Sequence, residues 1–276
     1  MTEFPLYTVD AFTATAFHGN PASVCLLEEA IQDATMQAIA MEMNHSETAF
    51  VRPLDGAPAH ATRFSLRWFT PEVEVPLCGH ATLATAKVIF SEVSNPASEI
   101  HFETKSGVVS ARREDTRIVL DFPVSDLRAA SVAPEILAAL GVRHAKAACY
   151  ARNNRCLLLH LDDESEIRKL VPDFARLQVA RGQAPFLGII VTAAGSGKYD
   201  FVSRYFAPWI GINEDPVTGS AHCALTPYWA NLTAKHEMQA YQASSRGGEM
   251  TVRLKGERVD LVGEAVVVAT GTVRLK

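Results

Sequence analysis

The chain has 276 residues, 48% of them hydrophobic and 21% charged, with a net charge of −5 at neutral pH. That length suits about two domains, each able to bury its own core. The acidic balance and the absence of a long basic run argue against nucleic acid as a partner, and no apolar run has the length of a membrane span. The opening MTEFPLYTVDAF lacks the basic-then-apolar order of a secretory leader. Five cysteines, an odd number without framework spacing, point to reduced thiols and a cytosolic setting.

In chain order, residues 6–12 read as a first strand, 17–21 (FHGNP) as a turn and 22–27 (ASVCLL) as a buried strand. Asp33 is placed to start a helix through 36–43, where apolar residues recur at helical spacing. A polar turn, NHSE over 44–47, then runs straight into an apolar strand, and 63–69 (RFSLRWF) alternates as a strand does. A helix opens at Gly79 and continues to about residue 90. Segments 100–104, 108–112 and 117–122 form a three-strand meander, and 121–123 (DFP) is the expected crossing between halves. In the second half, helices are expected at 134–140 and 165–170 and strands at 155–161 and 186–192. Residues 198–206 lead to a second Gly-opened helix at Gly219, and the chain ends on a strand over 264–275.

The two helix starts belong to a longer echo. Arg67-Trp68-Phe69-Thr70-Pro71 is repeated as Arg204-Tyr205-Phe206-Ala207-Pro208, and each copy runs through acidic and apolar residues to a Gly that opens an Ala/Thr/Ser-rich helix. The meander has its own echo over 239–243, 250–254 and 258–262. Repetition at half the chain length predicts a duplicated fold with two halves facing each other. The expected organisation is a first half over 1–121, joined by the terminal strand 264–276, and a second half over 122–263.

A helix start leaves backbone N–H groups without intrahelical partners and carries the positive end of the helix dipole. Gly79 and Gly219 therefore mark two candidate sites for a carboxylate or phosphate. Thr218 and Ser220 are expected to add hydroxyl donors at the second. Glu47, at the mouth of an apolar strand, can shuttle a proton if it borders a cleft; a solvated turn glutamate is the alternative. His80 can bind substrate or assist proton transfer, or it caps and packs. Asp215, before Pro216, can hold substrate or only close an Asx-turn. Asn20 either faces the cleft or serves the tight turn. Cys78 sits where a helix start lowers a thiol's pKa, but its counterpart is Thr218, which argues against a two-thiol racemase. The other cysteines read as core residues. No H-E-x-x-H, C-x-x-C, GxGxxG, P-loop or GxSxG pattern is present, so neither a metal nor a nucleotide cofactor is indicated.

Four segments in order, FHGNPASV (17–24), NHSETAFV (44–51), CGHATLATA (78–86) and RYFAPWIGINEDPVTGSAH (204–222), resemble the phenazine-biosynthesis PhzF-like family. The resemblance implies an α+β, diaminopimelate epimerase-like fold of two pseudo-symmetric halves, each a curved, mostly antiparallel sheet or barrel around a central helix. It implies a cofactor-independent isomerase, moving a hydrogen along a conjugated ring acid, with Glu47 as general acid/base. Asn20, His80 and Asp215 match its substrate-binding polar residues, and Gly79, Gly219 and Ser220 its carboxylate-receiving helix starts. Residues 242–248 (QASSRGG) resemble the family's QG…GR segment, with Ala243 where Gly is usual. A homodimer acting on a small carboxylated substrate is expected. A racemase or epimerase using Cys78, and a non-catalytic binding module, remain alternatives.

Overall fold

The computed structural model describes residues 2–182 and 184–275; residues 1 and 276, the outer ends of the expected first half, lie outside that range. The chain divides into two compact units, Met1–Phe122 with Asp260–Lys276, and Pro123–Val259.

The first unit carries β1 (Thr2–Ala11), β2 (Asn20–Leu26), α1 (Asp33–Met43), β3 (Glu47–Pro53), β4 (Arg63–Phe69), β5 (Glu74–Val75), α2 (Gly79–Lys87), β6 (Glu99–Thr104), β7 (Gly107–Glu114) and β8 (Arg117–Pro123). Its sheet is mixed. β1 lies antiparallel to β2, β2 parallel to β3, β3 antiparallel to β4, and β4 antiparallel to β5 and parallel to β6; β6, β7 and β8 then follow as an antiparallel meander.

The second unit carries β9 (Leu127–Ala129), α3 (Pro134–Leu140), β10 (Ala147–Ala151), β11 (Cys156–His160), α4 (Glu164–Lys169), α5 (Phe174–Ala180), β12 (Gly188–Ala194), β13 (Phe201–Ala207), β14 (Ile212–Asp215), α6 (Gly219–Thr233), β15 (Glu237–Gln242) and β16 (Gly248–Lys255). β10 is antiparallel to β9 and β11, β11 parallel to β12, β12 antiparallel to β13, β13 antiparallel to β14 and parallel to β15, and β15 antiparallel to β16. β17 (Arg258–Gly263) then returns the chain to the first unit, where β18 (Ala265–Leu275) runs antiparallel along the whole of β1. No described helix is long and apolar enough to cross a membrane.

The helices divide into two kinds by composition. In α2 every residue from Gly79 to Ala86 is buried, as a helix that is apolar or small all round must be. It packs on β1, β2, β3 and β18. Its small side chains let strands approach closely, and its buried Thr82 and Thr85 hydroxyls bond back to the Cys78 and Ala81 carbonyls at 2.5 and 2.7 Å. A single π-helical turn, Val88–Glu92, ends it. In the second unit α6 has the same role. Phe201 of β13 stacks on Trp229, ring centroids 5.8 Å apart, and the Trp229 indole N–H donates to Thr192 Oγ1 of β12 at 3.0 Å. Pro227 lies inside α6 and cannot donate to the Cys223 carbonyl; that carbonyl instead accepts from Ser125 N at 3.0 Å.

The amphipathic helices cover other strand faces. α1 buries Met36, Ile39 and Ala40 against Phe4, Cys25, Phe50 and Phe69. α3, α4 and α5 bury Ile136, Leu140, Ile167 and Leu177 against Leu157, Leu159, Ile189, Val191 and Phe206. With both faces covered, β13 is buried at every residue. Tyr205 fits there because β12 begins with Gly188, where an added Cβ would come within 2.2 Å of the tyrosine oxygen.

The short strands β5, β9, β10 and β14 and helix α5 have no counterpart among the elements expected from the sequence. β10 and β14 are short, and α5 buries only Leu177 at helical positions, so no apolar stripe marks it.

Candidate active site

In the first unit three chain ends converge. Asn20 begins β2, Glu47 begins β3 beside it in parallel register (Ala22 opposite Glu47), and His80 lies in the first turn of α2. The turn before Asn20 is fixed by Gly19. Its φ is +65°, and a Cβ there would fall 2.2 Å from the Ala11 carbonyl oxygen, so only glycine lets the hairpin close without displacing backbone.

These ends form one hydrogen-bonded cluster. The Asn20 amide nitrogen lies 3.1 Å from His80 Nδ1 and donates to it. That orientation leaves the imidazole proton on Nε2, which faces Glu47 Oε2 at 3.3 Å and Ser46 Oγ at 3.3 Å. Ser46 Oγ in turn donates to Asn20 Oδ1 at 3.4 Å. Burial, and then the neighbouring His45, push the His80 pKa down to about 3. The imidazole is therefore neutral at physiological pH. Its 3.3 Å approach to Glu47 Oε2 is therefore between a neutral ring and a carboxylate and not an ion pair between two charges. His45 is itself held by Ser23, Oγ to Nδ1 2.8 Å. Cys78, the N-cap residue of α2, makes no side-chain cap bond and places Sγ 3.5 Å from His80 Nδ1.

The second unit builds a separate cluster where β14 meets α6. Asp215 ends β14 and is buried. Thr218 donates its hydroxyl to Asp215 Oδ2. Gln242, arriving at the end of β15, ties the turn together: its Oε1 accepts from Thr218 N at 2.9 Å, and its Nε2 donates to the Asp215 carbonyl at 2.7 Å and to Thr218 Oγ1 at 3.2 Å. Gly219 is buried and Ser220 half-buried, and the Ser220 carbonyl accepts from Asn154 Nδ2. The expectation that Thr218 offers its hydroxyl to a ligand is corrected here, because Asp215 already takes that proton. Gln242→Leu is expected to cost about 1–3 kcal/mol, since it strands the buried Thr218 N–H and Asp215 carbonyl. Urea denaturation of the variant measures it.

His222, one turn into α6, donates Nδ1–H to the Thr218 carbonyl at 2.8 Å, while its fully buried Nε2 has no hydrogen-bond partner. Burial lowers its pKa from 6.5 to about 4, opposed by the Thr218 bond. The unfolded chain therefore takes up the proton first. Stability contributed by the neutral ring is complete above pH 6.5 and is lost as pH falls toward 4. Its limiting slope is about 1.4 kcal/mol per pH unit. Denaturation curves between those pH values are expected to flatten by about one proton's slope in His222→Leu.

The fold thus gathers Asn20, Glu47, Gly79 and His80 in one unit, and Asp215, Gly219 and Ser220 in the other. Ser46 and the Gln242 staple carry more of the hydrogen bonding than their sequence contexts indicate. Both arrive through parallel strand pairing, which leaves no local signature. The sequence also lacks metal-binding spacing, yet the fold places ligand atoms of Glu47, Cys78 and His80 within 4.8 Å of one another.

Known proteins share this arrangement of chain. A protein of Mus musculus named phenazine biosynthesis-like domain-containing protein 1 is 46% identical over 287 residues, covering 98% of this chain and 99% of its own. A Pseudomonas aeruginosa protein named an uncharacterized isomerase is 45% identical over 273 residues, covering 99% of each. The crystal structure of a PhzF-family protein from Enterococcus faecalis superimposes with a TM-score of 0.91 at 42% identity, over 99% of this chain and 100% of that one. Residues 9–271 match the family described as phenazine biosynthesis-like protein, PhzC-PhzF, and the chain belongs to that family.

Proposed function

We propose that the protein catalyses a proton-transfer isomerisation of a small carboxylated substrate without an organic cofactor, with Glu47 as the general acid/base. The isomerase class follows from family membership and the names its relatives carry. The observation that supports the mechanism is the Glu47–His80–Asn20 cluster. A carboxylate beside a neutral imidazole remains able to accept a proton from carbon. Asn20 fixes the tautomer and Ser46 closes the ring of bonds, so the base is positioned before substrate arrives. Neither α2 nor α6 spends its first N–H groups on a side-chain cap from its N-cap residue. Those donors suit a carboxylate and the negative charge that develops on an enolate-like intermediate. In this reading Asp215, Gly219 and Ser220 bind substrate.

The duplicated architecture is part of the same proposal. The two units repeat one series of pairings, from β2–β3 to β6–β7 and from β11–β12 to β15–β16, each with an inner helix opened by glycine. All five cysteines are free thiols, in keeping with a cytosolic protein. A homodimer is the assembly the family resemblance implies.

A racemase using Cys78 as a base is the second reading, favoured by the thiol's place beside His80. It lacks a partner thiol, since Thr218 stands at the matching position with its hydroxyl given to Asp215. The test is incubation in heavy water with a panel of small carboxylic acids, including a cyclohexadiene amino acid, following both deuterium incorporation and product. Incorporation or isomerisation of one acid identifies the substrate class. Neither, across the panel, favours a binding protein.

A further inference from the structure

We propose that Asn154 is a positioning residue of the substrate site, the second unit's counterpart of Asn20, whose bond to Ser220 fixes the first turn of α6 for a carboxylate. The proposal rests on the reading that the start of α6 receives the substrate carboxylate, and it is independent of which group moves the proton.

The correspondence comes from strand register. Arg67 and Arg204 open the repeated segment, and each forks onto a glutamate of the next strand, Glu74 of β5 and Glu214 of β14. From that anchor, Phe69 of β4 faces Thr48 of β3, and Phe206 of β13 faces Ile189 of β12. One position earlier, Glu47 therefore matches Gly188. Parallel pairing sets Ala22 opposite Glu47 and Cys156 opposite Gly188. Two positions before these lie Asn20 and Asn154. The helices agree, since Gly79 and Gly219 open α2 and α6, and His80 and Ser220 follow them. The base does not recur at its matched position. Gly188 leaves no room for a side chain, because an added Cβ would fall 2.2 Å from the Tyr205 hydroxyl oxygen. The asparagine does recur, and it makes the same bridge from the strand entrance to the second helical residue. Asn20 Nδ2 reaches His80 Nδ1 at 3.1 Å, and Asn154 Nδ2 donates to the Ser220 carbonyl.

The physical need for the bridge lies in Gly219. Glycine is the residue least able to hold its own backbone in place, and this one opens the helix. It is tied on both sides instead. Before it, Thr218 N–H donates to Gln242 Oε1 at 2.9 Å; after it, the Ser220 carbonyl takes the Asn154 amide. The Gly219 and Ser220 N–H groups lie between those two tethers. A helix start gives such donors no intrahelical partner, and Thr218 makes no side-chain cap. Fixing them before a carboxylate arrives removes an ordering cost from binding. Asn154 is itself half-buried in a turn that its neighbour Arg155 closes with φ of +51°, and the Arg155 carbonyl accepts from Leu187 N at 2.6 Å. The turn is thereby docked on the strand that carries Gly188.

The test is benzoate binding to the full-length protein, followed through the backbone amide resonances of Gly219 and Ser220. In the wild type both are expected to shift and to saturate. Asn154→Ala is expected to raise the benzoate Kd about tenfold, the loss of one hydrogen bond's worth of positioning. Asn154→Gln carries the same amide one methylene further out. It is expected to raise the Kd about threefold, and it is the readout should Asn154→Ala fail to fold. Asn153→Ala is the control for a loosened turn, since Asn153 Oδ1 accepts from Asp126 N at 3.3 Å. It is expected to lower the urea midpoint and leave the Kd unchanged. An unchanged Kd in a folded Asn154 variant overturns the proposal. So does equal weakening in Asn153→Ala, or the absence of any Gly219 and Ser220 shift in the wild type. Heavy-water exchange is read separately. Benzoate binding that Asn154→Ala weakens, in a protein that exchanges no acid of the panel, leaves this proposal standing and removes the isomerase reading.

Discussion

Glu47→Gln is expected to lower turnover, read as solvent deuterium entering the product, by about 10²–10⁴-fold. That is about 3–5 kcal/mol of transition-state stabilisation. The substitution is close to a pure removal of proton chemistry. Glutamine has the same shape, and its carbonyl oxygen can take the place 3.3 Å from His80 Nε2 that Glu47 Oε2 now holds. The Asn20–His80 bond and the Ser46 contact are untouched. Substrate affinity should therefore stay within a few-fold, and the loss should fall on kcat. Glu47→Asp keeps the carboxylate but withdraws it by about 1 Å, a displacement that can cost about 10²-fold by itself. An ordering of wild type, Asp, then Gln follows if the carboxylate is the base. Cys78→Ala is expected to keep exchange activity. Near-normal exchange in Glu47→Gln, with loss in Cys78→Ala, would transfer the role to the thiol and revive the racemase reading.

What the sequence disclosed of this site follows from how local each cause is. The openings of α2 and α6 at Gly79 and Gly219 were legible because turn chemistry and a run of small residues lie within a few positions of each other. Glu47 was legible as a polar residue at a strand mouth, but position alone favoured a solvated turn glutamate. In three dimensions Glu47 meets His80, which Asn20 holds in turn, and both arrive from distant parts of the chain. Parallel pairing of β2 with β3 sets Asn20 beside Glu47, and no feature of either segment encodes that register. The Gln242 staple is hidden in the same way: β15 reaches Asp215 and Thr218 by pairing parallel to β13. The grouping of Glu47, Cys78 and His80 escaped for the opposite reason. Cys78 and His80 are only two residues apart, too near for a recognised ligand spacing, and Glu47 lies a strand away.

Arg204→Leu is expected to destabilise the protein by about 3–5 kcal/mol, the cost of breaking one side of a buried ion pair. The repeated R-x-F-x-P segment makes the comparison possible within one chain. Arg67 and Arg204 each form a two-bond fork on a glutamate, Arg67 with Glu74 at 2.8 and 2.8 Å and Arg204 with Glu214 at 2.7 and 2.9 Å. The forks are alike and the surroundings are not. The Arg204 side chain is 10% exposed, and its Nη1 also donates to the Ile167 and Leu170 carbonyls at 3.2 and 2.7 Å. It sits on the face of β13 that also presents Val202 and Phe206 to the core under α3, α4 and α5. Leucine there would leave the Glu214 carboxylate and the Leu170 carbonyl without this donor, while the Ile167 carbonyl keeps only the long bond from Leu170 N at 3.4 Å. The Arg67 side chain is 25% exposed, its further partner Asp33 is 72% exposed, and Glu74 keeps Lys105 when the arginine goes. Solvent can therefore replace much of what Arg67 supplies, and Arg67→Leu is expected to cost about 1 kcal/mol. Denaturation midpoints of the two single variants at unchanged m-value test this directly. Equal losses at the two positions would show that burial does not set the difference. The double variant Arg204→Leu with Glu214→Leu should recover part of the loss, because the stranded carboxylate is then gone as well.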